Sequence, residues 1–244
     1  MADINLAVLI DADNVPYSNI RGIMKEITKS GTPTIKRIYG DFTNQRLNGW
    51  KEVLLENAIT PIQQYAYTTG KNATDSALII DAMDILHREH VDGFCIVSSD
   101  SDYTRLVTRI REAGKLVIGI GEKKTPKPFI AACNKFIYIE IIEDASESEE
   151  KENIQKIDKA FISTLKQIVD DVADESGWAF LGDVGNYLSR REPDFDSRNY
   201  GFKKLTTLIG SLKKDFELDI RIAEGRKGSK NIFVKIKEDK TTKR

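Results

Sequence analysis

Along the first 140 or so positions, short apolar runs alternate with longer stretches in which apolar residues recur every three or four positions. Residues 6–11 (Leu-Ala-Val-Leu-Ile-Asp) read as a buried strand, and 34–40, 59–67, 93–97, 116–120 and 136–142 as five more. Between them, 20–29 places Ile20, Ile23, Met24 and Ile27 at helical spacing, and 50–55, 73–88, 103–113 and 129–133 read as further helices. Residues 73–88 form a long helix whose mixed composition names no single apolar face. Strands separated by helices predict βαβ crossovers, hence an α/β fold with a parallel sheet covered by helices on both faces.

The pattern breaks at 144–152, Asp-Ala-Ser-Glu-Ser-Glu-Glu-Lys-Glu, which is acidic and has no apolar anchor. It reads as a linker, giving a first domain over 1–143, a linker over 144–153 and a second domain over 154–240. In the second domain an amphipathic helix over 154–172 is followed by stretches 178–188 and 202–212. Two strand-like runs, 218–222 and 232–236, then flank a basic, glycine-containing loop. Helices followed by a β-ribbon suggest a small winged-helix domain.

Composition adds bounds. In 244 residues, 40% are hydrophobic and 31% charged, so the chain can bury a sizeable core, and no apolar run approaches the roughly 20 residues of a membrane span. The N-terminus has no basic segment or cleavage site, so secretion is not expected; Cys95 and Cys133 read as reduced core thiols, which fits a cytoplasmic chain. Net charge is −1, but positions 198–244 hold 14 Lys and Arg against 6 Asp and Glu, a local balance of +8. The basic candidates for phosphate contacts there are Arg198, Lys203, Lys204, Lys213, Lys214, Arg226, Lys227 and Lys230.

The chemistry concentrates at the ends of the predicted strands. Asp11 and Asp13 close the first strand, Asp100 and Asp102 follow the fourth, and Asp75 opens the helix after the third. In an open parallel sheet ligands bind at the carboxyl ends of the strands, where these three segments converge if strands one and four are neighbours. Carboxylates this close repel unless a cation lies among them, which points to Mg²⁺ or Mn²⁺ acting on phosphate. Each acid also has a structural reading. Asp100 or Asp102 suits a helix cap, Asp75 suits a first helical turn, Asp13 suits a turn, and Asp81 falls beside the site. His87 and His90 read as surface residues.

Ile10-Asp11-Ala12-Asp13-Asn14, the segment from Lys71 to Asp75, Val97-Ser98-Ser99-Asp100-Ser101-Asp102-Tyr103 and Gly114-Lys115 together resemble the NYN domain, a PIN-like ribonuclease fold of the LabA-like type, over residues 4–142. The resemblance implies an RNA-cleaving site dependent on Mg²⁺ or Mn²⁺, with Asp11, Asp75, Asp100 and Asp102 as its acids. Asn14 matches the polar residue after the first acid, placed to bond phosphate or metal-bound water. Ala12 stands where family members often have glycine. Residues 155–238 resemble an OST-HTH (LOTUS) domain through 178–188, Asp194-Phe195-Asp196 and Tyr200-Gly201-Phe202-Lys203-Lys204-Leu205. That implies a module binding RNA or docking on protein, with Phe195, Tyr200 and Phe202 read as core aromatics.

The resulting expectation is a two-domain, metal-dependent ribonuclease acting on RNA, with single strands as the expected form. Asp11, Asp75 and Asp100 hold the metal, Asp102 completes its shell or orients water, and Asn14, Lys71 and Ser99 contact substrate. The basic second domain supplies affinity or docking, and pairing of two copies is a further expectation. Two alternatives stay open: a non-catalytic RNA-binding regulator, and a phosphohydrolase acting on DNA or small phosphates, with Asp11 as a covalent nucleophile.

Overall fold

Strand β1 (Asn5–Asp11) sends alternate side chains into two separate cores. Leu6, Val8 and Ile10 join one cluster, with Ile20, Ile23 and Ile27 of helix α1 (Ile20–Thr28) and Trp50 and Leu54 of α2 (Trp50–Asn57). Ala7 and Leu9 join the other, with Leu78, Ala82 and Ile85 of α3 (Ala73–Arg88), Leu106, Val107 and Ile110 of α4 (Thr104–Glu112) and Phe129 of α5 (Lys127–Ala132). The two-residue period of a strand buried on both faces thus sorts helices to opposite sides of one sheet. This computed structural model describes residues 4–65, 73–142, 155–222 and 230–237.

The other strands are β2 (Thr32–Gly40), β3 (Thr60–Gln63), β4 (Gly93–Val97), β5 (Leu116–Gly121) and β6 (Lys135–Tyr138). All pair in parallel, in the order β3-β2-β1-β4-β5-β6. The order reverses between β1 and β4, so the chain leaves those two neighbouring strands in opposite directions and opens a crevice at their carboxyl ends.

Two strands are shorter than their apolar runs, for the same reason. β3 pairs with β2 only as far as Gly40 opposite Gln63, and the expected positions 66 and 67 lie outside the described residues. β6 stops at Tyr138, opposite Gly121 where β5 ends. With no ladder left to extend, Ile139–Ile141 closes as a 3-10 turn that keeps Ile139 and Ile142 buried.

The chain divides into two compact units, residues 1–150 and 151–244. In the second, α6 (Lys159–Val172) is N-capped by Asp158, whose side chain accepts from the Phe161 N–H at 2.8 Å. Such a cap contributes about 1 kcal/mol. The stretch 178–188 is not all helix. Gly177, at φ 79°, turns the chain so that Trp178–Phe180 forms strand β7 against β9 (Lys230–Ile236), and only then does α7 (Leu181–Arg191) begin. Helix α8 (Leu205–Ser211) and β8 (Phe216–Ile222) complete an antiparallel sheet ordered β7-β9-β8 with helices packed on it. Phe161, Phe195 and Tyr200 form a three-ring cluster, Phe161 lying 5.9 Å from Phe195 and 4.7 Å from Tyr200, and Phe202 packs against the same core. Among the described residues no helix is long and apolar enough to cross a membrane. Cys95 and Cys133 are buried free thiols.

Candidate active site

The register that pairs Ile10 with Val97 brings the next residues, Asp11 and Ser98, level with each other at the carboxyl edge. By the same alternation that buries Leu9 and Ile96, both face the α3 and α4 side of the sheet. Asp11 is 1% exposed, yet fully hydrogen-bonded. Its Oδ1 accepts the Asp13 N–H at 3.1 Å, and its Oδ2 accepts Asn14 Nδ2 at 2.6 Å, Ser98 Oγ at 2.9 Å and the Tyr103 hydroxyl at 3.4 Å. Burial raises the pKa of this carboxyl above the ordinary value, against the opposing pull of Asn14 and Ser98.

Asp75, in the first turn of α3, is half-buried and accepts the Tyr103 hydroxyl at 2.8 Å. Burial raises its pKa too; the Tyr103 bond opposes that, and Asp11, Asp100 and Asp102 add to it. Asp100 caps the 3-10 turn Ser101–Tyr103, its Oδ1 accepting the Asp102 N–H at 2.9 Å. The capping role and the site role therefore belong to the same residue.

Asp75, Asp100 and Asp102 each offer a carboxylate oxygen, and all three atoms lie within 4.8 Å of one another. At an effective dielectric near 20, two unit charges at that separation repel by roughly 3 kcal/mol before screening by the solvent that reaches Asp102. The four acids grouped by the sequence thus divide into three clustered oxygens and a buried Asp11 behind them, joined to Asp75 through Tyr103.

The polar residues expected at the substrate are placed differently from one another. Asn14 is half-buried with its amide on Asp11. Ser99 is buried, and its hydroxyl accepts the Glu122 N–H at 2.9 Å, fastening the loop after β5. Ser98 is the serine that reaches Asp11, and its oxygen also accepts the Asp100 N–H at 3.1 Å. Lys71 lies outside the described residues.

Two further acids stand at this edge. Burial raises the pKa of Asp13, with repulsion from Asp75 and then Asp41 adding to it. Asp41 follows β2 directly, and its Oδ1 takes the Thr43 N–H, the Thr43 hydroxyl and the Gln63 amide. The sequence carried a signal for it, since it is the third acid to follow a strand at the carboxyl end. Asp81 is outside the cluster, taken up by Arg37 and the Tyr39 hydroxyl. His87 and His90 are exposed.

In the second unit Lys203, Lys204 and Lys230 are exposed, the first two just before α8 and the third opening β9. Arg226 and Lys227 lie outside the described residues. Arg198 is engaged by Asp196 through two bonds, at 3.0 and 2.7 Å.

The sequence profile of the NYN domain matches residues 5–140. The chain belongs to the NYN domain family. This is a PIN-like nuclease fold, and the crevice described above falls inside the match. A second profile, the OST-HTH/LOTUS domain, matches residues 152–225. The NYN chain is also similar to a solved protein of unknown function from Vibrio parahaemolyticus, at 21% identity, 56% coverage of this chain, 93% coverage of that chain and a TM-score of 0.48. An uncharacterized protein from Nitrosomonas europaea, solved by NMR, shares 31% identity over 38% of this chain and 86% of its own, with a TM-score of 0.32. No curated protein matches the NYN chain.

Proposed function

We propose that this chain is a metal-dependent ribonuclease, the NYN domain hydrolysing RNA phosphodiesters and the LOTUS domain adding RNA affinity. The observation that carries this reading is the convergence of oxygens from Asp75, Asp100 and Asp102 within 4.8 Å at the carboxyl edge. Uncompensated carboxylates at that spacing are unfavourable, and hard oxygen donors suit Mg²⁺ or Mn²⁺. A bound ion of this kind polarises a phosphoryl oxygen and lowers the pKa of water.

The chain's own residues do the positioning. Asp75, Asp100 and Asp102 would hold the ion. Tyr103 fixes the carboxylate of Asp75, and the Asp11, Asn14 and Ser98 bonds hold the floor beneath it. Asp11 is unsuited to covalent catalysis, because it is buried and both oxygens already accept hydrogen bonds. This speaks against the aspartyl-phosphate alternative. The exposed Lys203, Lys204 and Lys230 suit phosphate contacts, and a tethered RNA-binding module raises the effective substrate concentration at the nuclease domain.

The test is cleavage of a labelled single-stranded RNA pool by the full chain with Mn²⁺, Mg²⁺ or EDTA, in wild type and Asp100→Asn. Cleavage that needs metal and disappears in the variant supports the reading. Salt-sensitive RNA binding without cleavage would assign the chain to non-catalytic regulators. Cleavage that survives in Asp100→Asn would refute the site.

A further inference from the structure

The loop after β2 and the loop after β1 meet beside the carboxylates. Gly40 ends β2 in such close contact that a Cβ there would lie 2.9 Å from the Ala12 Cβ and 2.8 Å from Leu47 Cδ1. Beyond it, the 3-10 turn Gln45–Leu47 is capped by Asn44, whose side chain accepts the Arg46 N–H at 3.1 Å, and is anchored by buried Leu47. Arg46 is exposed on this rigid turn and makes no ion pair among the described residues. Leu47, next to Arg46, and Ala12, next to Asp11, both close on Gly40, so Arg46 stands at the margin of the acid group. A cation held there by its backbone, yet not spent on a carboxylate, suits an anionic ligand.

Tyr17 supplies an independent observation. It lies on the turn Tyr17–Asn19 after β1 and is 47% exposed. Its ring rests on Gly49, three residues past Arg46, where a Cβ would come within 2.5 Å of the ring. The absence of a side chain at Gly49 is therefore what seats the ring. An exposed aromatic seated on Gly49, three residues along the chain from the exposed Arg46, supplies with it both groups that a single-stranded nucleotide needs, a stacking surface and a phosphate donor.

We propose that Tyr17 and Arg46 form a substrate subsite of the carboxylate crevice, in which an unpaired base of single-stranded RNA stacks on Tyr17 and an adjoining phosphate binds Arg46. The subsite rests on the nuclease reading. It holds the strand next to the scissile phosphate, and it selects unpaired RNA because a paired base cannot present its face to the tyrosine.

Steady-state cleavage of a labelled single-stranded RNA by the full chain with Mn²⁺ tests this, using Tyr17→Leu, Tyr17→Phe, Arg46→Gln and, as a charge control at the far end of α1, Lys25→Gln. Tyr17→Leu is expected to raise KM about tenfold, the loss of one base–aromatic stack, with kcat nearly unchanged, and Tyr17→Phe to restore it. Arg46→Gln is expected to raise KM and reduce the slope of log affinity against log salt by about one, with Lys25→Gln like wild type. Single abasic substitutions along the RNA should reveal one position where wild type loses affinity and Tyr17→Leu does not. If Tyr17→Leu and Arg46→Gln keep the wild-type KM and salt slope while Asp100→Asn is inactive, the subsite is overturned and the nuclease reading stands. If wild type does not cleave, both fall together.

Discussion

The Tyr103 hydroxyl lies 2.8 Å from Asp75 and 3.4 Å from Asp11, linking the two acids at the back of the crevice. A hydroxyl carries one proton, so it donates fully to one carboxylate at a time, and the shorter contact favours Asp75. Buried between two acids, the phenol has its own ionisation pushed far upward, first by burial and then by the Asp11 charge. It stays a donor at any working pH.

Tyr103→Phe should therefore remove the bond that orients Asp75 while keeping the ring that fills the core. Losing a hydrogen bond to a charged acceptor costs about 1.5–3 kcal/mol, reduced here because Asp75 is only half-buried. We expect a lower urea midpoint and weaker Mn²⁺ binding by calorimetry. Wild-type values for both would remove Tyr103 from the site.

Asp100→Asn should have opposite effects on stability and on metal binding. Without metal the variant relieves repulsion with Asp75 and Asp102, so its melting temperature should rise above wild type. Added Mn²⁺ should raise the melting temperature of wild type and leave the variant nearly unmoved. An equal Mn²⁺ shift in both proteins would show that the ion binds elsewhere.

Asp11, Asp13 and Asp75 all have pKa values raised above 3.8 in the folded chain. The folded state then binds more protons than the unfolded one, so the contribution of these groups to stability falls as pH rises from about 3.8 through their folded values. Urea midpoints of the metal-free chain should show this decline, and Asp75→Asn should flatten it. A decline of the same size in the variant would mean that Asp75 does not contribute.

Asp81 should behave as a structural acid. It joins Arg37 and Tyr39 of β2 to α3, with its side chain 23% exposed. Asp81→Asn should lower stability by about 1–3 kcal/mol, less than a fully buried pair because water reaches both partners. The Mn²⁺ thermal shift and the KM for RNA should not change. Loss of the metal response on this substitution would place Asp81 in the site.

The hydrophobic pattern by itself determined the βαβ order and the sheet buried on both faces. A strand between two helical layers must be apolar on both sides, and that leaves a run such as 6–10 in the sequence. The limits of β4 were legible for the same reason. The motif around Asp11 and Asp100 also named the crevice, because residues that end neighbouring strands share one edge. Strand partners decided what lay beyond. Ile139–Ile141 is as apolar as a strand but has no ladder to join, and Trp178–Phe180 becomes a strand because β9 lies alongside it. The division of labour among the polar residues was likewise tertiary. Ser98 and Ser99 are neighbours of identical chemistry, and only the register with β1 and β5 sends one to Asp11 and the other to Glu122. Tyr17 and Arg46 carry no motif of their own. Their loops meet because folding sets the carboxyl ends of β1 and β2 side by side, a proximity that sequence spacing does not encode.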